Sequence, residues 1–178
     1  MTIERITLGG GCFWCLDAAF RRVKGIESVI SGYANGLTDN PDYKEICRGD
    51  SGHAEVVQIQ FDTNHISFRG ILEIFFAIHD PTTLNKQGND IGTQYRSIIA
   101  YENELQQIEA RNIINTLDTD ENWSNPIATE VEPLSVFYPA EEYHQNYYNQ
   151  NQTNGYCQVV ISPKINKLES LLKKNYSR

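Results

Sequence analysis

Three consecutive glycines, Gly9, Gly10 and Gly11, followed at once by Cys12, constrain this chain more than any other feature. Ile3 to Leu8 before them reads as a short strand, and Phe13, Leu16, Phe20 and Val23 after them recur at helical spacing. Strand, glycine turn and helix follow in that order. The turn places the Cys12 sulfur beside unpaired backbone N–H groups and the positive end of the helix dipole, and both favour thiolate, the form that attacks. Glycine there also lets another molecule approach the backbone closely. The plain alternative is a buried structural cysteine, the common state of an isolated thiol.

Ile26 to Tyr33 reads as a second strand, followed by a long polar loop through Asn40, Pro41 and Gly49. A loop of that length in a compact domain is more often functional than idle. His53 to Phe61 alternates, with Val57, Ile59 and Phe61 on one face, and Ser67 caps an apolar helical segment from Phe68 to His79 that stops at Asp80-Pro81. A second polar loop around Gln87 to Thr93 leads into Tyr95 to Tyr101, a fourth strand candidate. The order β-α-β-β-α-β is that of a ferredoxin-like core, two helices on one face of a four-stranded sheet. Beyond it the pattern gives a helix from about Asn103 to Leu117, strands near Ile127 to Glu132 and Ser135 to Phe137, and a helix from about Ala140 to Tyr148. The expectation is an α+β fold: a two-layer α/β sandwich with that βαββαβ core, C-terminal helices and a long irregular tail. The tail, about 149–178, is expected to be mobile; it carries Cys157 and ends in a Lys-rich amphipathic segment, Ile165 to Leu172.

With 178 residues, 40% of them hydrophobic, the chain buries one substantial core, so a single domain over 1–178 is expected. Seven Phe and ten Tyr against one Met make the interior stiff and aromatic. A net charge of -8 with no Lys/Arg cluster argues against nucleic acid and anionic lipid as partners. The N-terminus shows neither a secretory signal nor a membrane span, which leads to the expectation of a cytoplasmic protein; a monomer is expected. In a reducing compartment Cys12, Cys15, Cys47 and Cys157 read as reactive, metal-bound or buried rather than as disulfides.

Cys15 completes Cys12-x-x-Cys15, a spacing that serves redox dithiols and half of a zinc site. Cys47 and Cys157 lack the spacing for a second ligand pair, so no metal and no cofactor is expected. Glu55 shares parity with Val57, Ile59 and Phe61, which turns it toward their apolar face. A carboxyl held there pairs with a cation or stays protonated, which suits a general acid. Solvation at a frayed strand start is its plain alternative. Phe13 and Trp14 are adjacent aromatics that point in different directions on a helix, so at least one lies beside the thiol unless both pack in the core.

Gly11-Cys12-Phe13-Trp14, Asn40-Pro41-Asp42-Tyr43, Ser51-Gly52-His53-Ala54-Glu55, Gln87-Gly88-Asn89-Asp90, Gly92-Thr93-Gln94-Tyr95-Arg96-Ser97, Tyr143-His144-Gln145 and Gly155-Tyr156-Cys157 together resemble the peptide methionine sulfoxide reductase A family. The resemblance implies a two-layer α/β fold and reduction of the S epimer of methionine sulfoxide, free or in oxidised proteins. It implies Cys12 as the nucleophile on the sulfoxide sulfur, with Phe13 and Trp14 as the wall for the substrate methyl group. Glu55 becomes the acid that protonates the sulfoxide oxygen, helped by the Tyr43 and Tyr95 hydroxyls, and Asp90 orients water or substrate or else stabilises its Gly-rich loop. Cys157 becomes the thiol that resolves the Cys12 sulfenic acid, and thioredoxin the reductant of the resulting disulfide. Cys15 departs from the pattern of many members, which leaves the disulfide open between Cys157 and Cys15. Cys47 reads as a partly buried structural thiol, and His144 as a satisfied structural histidine.

Two rivals remain. A thioredoxin-like exchanger using Cys12 and Cys15 needs no acid and no methyl pocket, and a metal- or peptide-binding module needs no turnover.

Overall fold

Alternation along β1 (Ile3–Gly9) turns Ile6 and Leu8 inward, and the same pattern in β3 (Ala54–Asp62) turns Val57, Ile59 and Phe61 to the same side. The computed structural model describes residues 2–176; Met1, Ser177 and Arg178, the ends of the expected single domain and tail, lie outside the described residues. Leu16 and Phe20 of α1 (Phe13–Phe20), and Ile71, Ile74 and Phe75 of α3 (Phe68–Ile78), close over that face. Each such side chain, fully buried, contributes about 1.5–3 kcal/mol, so this cluster carries most of the driving force. Ala54 and Val56, of opposite parity, join Ala34, Ile98 and Phe137 in a smaller cluster on the other face.

The strands β7 (Glu130–Pro133), β6 (Ile98–Tyr101), β1, β3, β2 (Ile26–Ala34) and β8 (Phe137–Pro139) lie in that order in one six-stranded sheet. All neighbours are antiparallel except β6 and β7. The fold is thus a mixed α/β one, a sheet with helices packed on it. Registers Leu8 with Val57, Gly9 with Ile98 and Tyr33 with Glu55 bring the end of β1, the end of β2 and the starts of β3 and β6 together. Functional side chains gather at this end of the sheet.

Several expectations need correction. The polar loop after β2 contains a helix, α2 (Tyr43–Arg48), whose N-cap Asp42 accepts from the Glu45 N–H at 2.8 Å. The loop before β6 holds a two-strand hairpin, β4 (Lys86–Gln87) and β5 (Asp90–Ile91), and Thr93–Tyr95 is a 3₁₀ turn, so the strand expected from Tyr95 starts at Ile98. The helix α4 (Glu104–Asp118) lies within a residue of its expected span, capped by Asn103. The helix expected over Ala140 to Tyr148 is broken into a 3₁₀ turn, Glu142–His144, and a single turn, α5 (Tyr147–Gln150), by Asn146 at φ 52. Tertiary bonds override propensity there. The Gln145 amide is tied to both backbone groups of Ser31 at 2.9 Å, and the Asn146 N–H donates to Asp17.

The expected irregular tail is mostly regular. A π turn, Cys157–Ile161, runs into α6 (Ser162–Tyr176), and Ile161, Ile165 and Leu168 form a buried stripe on it. That spacing is i, i+4, i+7, one face of a helix. Among the described residues no helix is long and apolar enough to cross a membrane.

Candidate active site

The site begins where β1 ends. Gly11 takes φ +86, and a Cβ there would sit 2.9 Å from the Cβ of Gln87, so glycine is required on two counts. Its N–H donates to the Tyr95 carbonyl at 3.1 Å, which ties the turn to the 3₁₀ segment before β6. Cys12 is the extended N-cap of α1 and is partly buried.

Glu55 is 2% exposed, on the apolar side its parity predicts, and not solvated. Its Oε1 accepts the Phe13 N–H at 3.1 Å, so the start of α1 is held by the carboxyl it faces. Burial pushes its pKa up to about 8, with the Asp90 charge adding and the Phe13 N–H opposing. At neutral pH the group carries its proton.

The thiol departs from expectation. Burial pushes the Cys12 pKa well up, the charges of Glu55 and Cys15 add to it, and only the Trp14 N–H pulls the other way. The helix terminus is present, but desolvation outweighs it. The resting site therefore holds a thiol beside a carboxylic acid.

Tyr43, the first residue of α2, and Tyr95 are both partly buried, and burial raises both phenols, helped at Tyr43 by its hydrogen bond with Cys47 and at Tyr95 by the neighbouring Glu55 and Asp90 carboxyls. Both stay proton donors. Asp90, on the hairpin, accepts the Tyr156 hydroxyl at 2.6 Å, so a protein group already occupies one of its oxygens.

Phe13 is fully buried, its ring 5.7 Å from that of Tyr33 and 5.0 Å from that of His144. Trp14 is partly exposed and is gripped from several sides. Tyr147 stacks on it at 3.7 Å, Tyr156 meets it edge-on at 6.0 Å, and its indole N–H donates to His144 Nδ1 at 3.0 Å. His144 is 0% exposed and is neutral on that side, so its proton sits on Nε2. That Nε2 has no protein partner among the described residues, which makes His144 only half satisfied.

Cys15 and Cys157 are both buried in one cluster with Ala18, Tyr148, Ile161 and Ile165, and Cys12 and Trp14 pack against it. Cys47, expected to be partly buried, is exposed on α2, where its thiol contacts the Tyr43 hydroxyl. A residue in the fourth position after Tyr43 on a helix lies on the same face, which the sequence spacing already offered.

Sequence reasoning missed Glu141, Tyr147 and Tyr156 as members of the site. Glu141 accepts the Tyr33 hydroxyl at 2.8 Å and the Tyr43 N–H at 3.0 Å. The available signals were the run of tyrosines, Tyr143, Tyr147, Tyr148 and Tyr156, around the Tyr143-His144-Gln145 motif, and the place of Tyr156 in the Gly155-Tyr156-Cys157 segment.

Comparison with known proteins agrees with the geometry. The sequence pattern described as peptide methionine sulfoxide reductase matches residues 4–176. The chain is 56% identical over 166 residues to peptide methionine sulfoxide reductase MsrA of Chromobacterium violaceum, covering 93% of this chain and 94% of that protein. It is similar to the crystal structure of Mxr1 from Saccharomyces cerevisiae in reduced form, with a TM-score of 0.82 and 40% identity over 87% of this chain and 89% of that one. Mxr1 in complex with Trx2 is also similar, with a TM-score of 0.59 and 31% identity over 82% of this chain and 84% of that one.

Proposed function

Because this chain belongs to the peptide methionine sulfoxide reductase family, we infer that its site reduces the S epimer of methionine sulfoxide, free and protein-bound, with Cys12 as nucleophile and Glu55 as acid. The enzyme reduces methionine sulfoxide to methionine, and thioredoxin recycles it. The observation that carries the residue assignment is the buried Glu55 carboxyl, protonated up to about pH 8 and hydrogen-bonded to the first turn of the helix that Cys12 caps.

Sulfoxide oxygen is a strong acceptor. When it enters the site, Glu55, with the Tyr43 and Tyr95 hydroxyls, donates toward it and makes the sulfur electrophilic. The Cys12 sulfur then attacks that sulfur as its proton is lost. Oxygen passes to Cys12 as sulfenic acid, methionine leaves as the thioether, and Glu55 regains a proton; Cys12 is oxidised by the two electrons the substrate gains. Trp14 offers the accessible wall for the methyl group, and Phe13 backs it from the core. Asp90 acts with Tyr156 at the edge of that wall.

The four strands β6-β1-β3-β2 with α1 and α3 are read as a ferredoxin-like core, and the whole as a single catalytic domain. A thioredoxin-recycled thiol enzyme fits the cytoplasm.

The test is thioredoxin-coupled turnover on separated S and R epimers of methionine sulfoxide. Turnover of the S epimer alone is expected, and turnover of the R epimer alone would refute the assignment. A dithiol exchanger would not depend on Glu55, so Glu55→Gln also separates that rival.

A further inference from the structure

Two phenols assist Glu55 in that reaction, and they are anchored differently. Tyr95 is fixed through the backbone: its carbonyl accepts the Gly11 N–H at 3.1 Å, and the next residue, Arg96, bonds the Thr93 and Gly52 carbonyls and the Glu130 carboxylate. Tyr43 instead opens α2, a helix of six residues in which Ile46 is the buried one. So short a helix has little apolar packing to hold it in place. Its first N–H is also one that a helix cannot satisfy from within. That N–H donates to Glu141 Oε2 at 3.0 Å, across 98 positions of sequence. Resting on the sulfoxide reductase reading, we propose that Glu141 is a positioning residue whose carboxylate clamps the start of α2 to the sheet, so that the Tyr43 hydroxyl meets the sulfoxide oxygen beside Glu55.

The clamp stands on rigid ground. Ahead of it Gly32 pairs with Pro139 and the Ala140 N–H donates to the Ser31 carbonyl at 2.9 Å; behind it the Gln145 amide returns to the Ala140 carbonyl at 3.1 Å and to Ser31. Glu141 is thus held against β2 from both sides. Its Oε1 accepts the Tyr33 hydroxyl at 2.8 Å, and Tyr33 is the fully buried register partner of Glu55 on the next strand, its ring 5.7 Å from that of Phe13. One carboxylate therefore joins the strand pair that carries Glu55 to the helix that carries Tyr43. Burial works against charge on Glu141, but a backbone N–H, the Tyr33 hydroxyl and the Tyr43 N–H outweigh it and hold the carboxyl below its ordinary range. Both clamp bonds are charge-assisted, the stronger kind.

The side chain serves the proton donor and not the methyl wall. Trp14 is held by Tyr147, Tyr156 and His144, and the turn that carries His144 hangs on the Glu141 carbonyl, to which the His144 N–H donates at 3.0 Å. A backbone carbonyl survives a side-chain substitution. Loss of the carboxylate therefore slows the reductive step without weakening capture of the substrate.

Because Tyr95 offers a second hydroxyl, the test takes full-length Tyr95→Phe protein as its background, in which Tyr43 is the remaining phenol of the pair. Single-turnover methionine formation from methionine S-sulfoxide is followed over a range of substrate concentration. Glu141→Ala should slow the saturated rate by about ten- to a hundredfold, the scale of a misplaced reacting group, with the half-saturating concentration within about twofold. Glu141→Gln should recover most of the rate, since its amide oxygen accepts the Tyr43 N–H and its NH2 donates to the Tyr33 oxygen. With Tyr43→Phe added, Glu141→Ala should cost no more than about twofold. An equal loss with and without the Tyr43 hydroxyl overturns the proposal, as does a rise in the half-saturating concentration at unchanged rate, a Glu141→Ala rate within about twofold of its background, or no recovery in Glu141→Gln. If Glu141→Ala shows no cooperative urea transition, Tyr33→Phe takes its place: the missing hydroxyl on Oε1 should slow the step by about three- to tenfold while Tyr43 is present and not otherwise, and any other pattern overturns the clamp. A parent that forms no methionine would instead sink the reductase reading on which the proposal rests.

Discussion

A carboxyl on β3 and the thiol that caps α1 both keep their protons at neutral pH, and the carboxyl is hydrogen-bonded to the first residue of that helix. Glu55 supplies a proton and not packing volume, and glutamine preserves its acceptor for the Phe13 N–H. Glu55→Gln should therefore keep the fold and slow single-turnover methionine formation by about a hundred- to ten-thousand-fold. A rate within a few-fold of the parent across neutral pH would show that the acid lies elsewhere. In the parent the same step should decline as pH rises through about 8, where Glu55 gives up its proton. Trp14 is held by stacking, an edge contact and a hydrogen bond, so Trp14→Ala should cost about 1–3 kcal/mol of substrate capture, a tenfold or greater rise in KM or fall in kcat/KM. Unchanged kinetics would remove Trp14 from the substrate wall. Adjacency left open which of Phe13 and Trp14 lies beside the thiol, but Glu55 and Cys12 were legible as residues because parity and the glycine turn bear on where they point. The protonation state of Cys12 was not, since desolvation depends on what packs around the sulfur.

Elements set by local pattern, β1, α1, β3, α3 and α4, fall close to where alternation and helical spacing put them. Those decided by side-chain bonds to backbone outside the element do not, as the break at Asn146, where Gln145 is tied to Ser31, and the hairpin at 86–91, where Gln87 is tied to Asp80, demonstrate. The C-terminal helix instead owes its place to apolar packing. Leu168 belongs to the main core, so Leu168→Ala should destabilise by about 2–5 kcal/mol in urea unfolding. A change below about 0.5 kcal/mol, the scale of surface substitutions, would mean that α6 contributes little to the fold. Gly11→Ala should also destabilise, by about 1–3 kcal/mol, because it combines a positive φ with a close approach to Gln87.

At the scale of the whole molecule, burying an acid links stability to pH. The folded pKa of Glu55 lies above its ordinary value of 4.5, at about 8. Its contribution is fully present below the ordinary value and is lost as pH rises through about 8, by at most on the order of 5 kcal/mol. His79 works in the opposite sense: buried and held down to about 4, it stabilises above the ordinary histidine range and loses that contribution as pH falls. Urea midpoints for the parent should fall between about pH 4.5 and 8 relative to Glu55→Gln, with His79 cancelling between the two proteins. Parallel curves would show that Glu55 titrates normally.

The sequence by itself determined the glycine turn, the parity of Glu55, the cap at Ser67 and the order of the central elements, because each follows from spacing of 2 or 3.6 and from local backbone sterics. Only the tertiary structure decided that Cys15 and Cys157 share a cluster, that Tyr147 stacks on Trp14, and that Glu141 ties Tyr33 to Tyr43. Those contacts join residues a hundred or more positions apart in several cases, and no local period encodes which distant groups a closing chain will bring together or how completely it will exclude water from them.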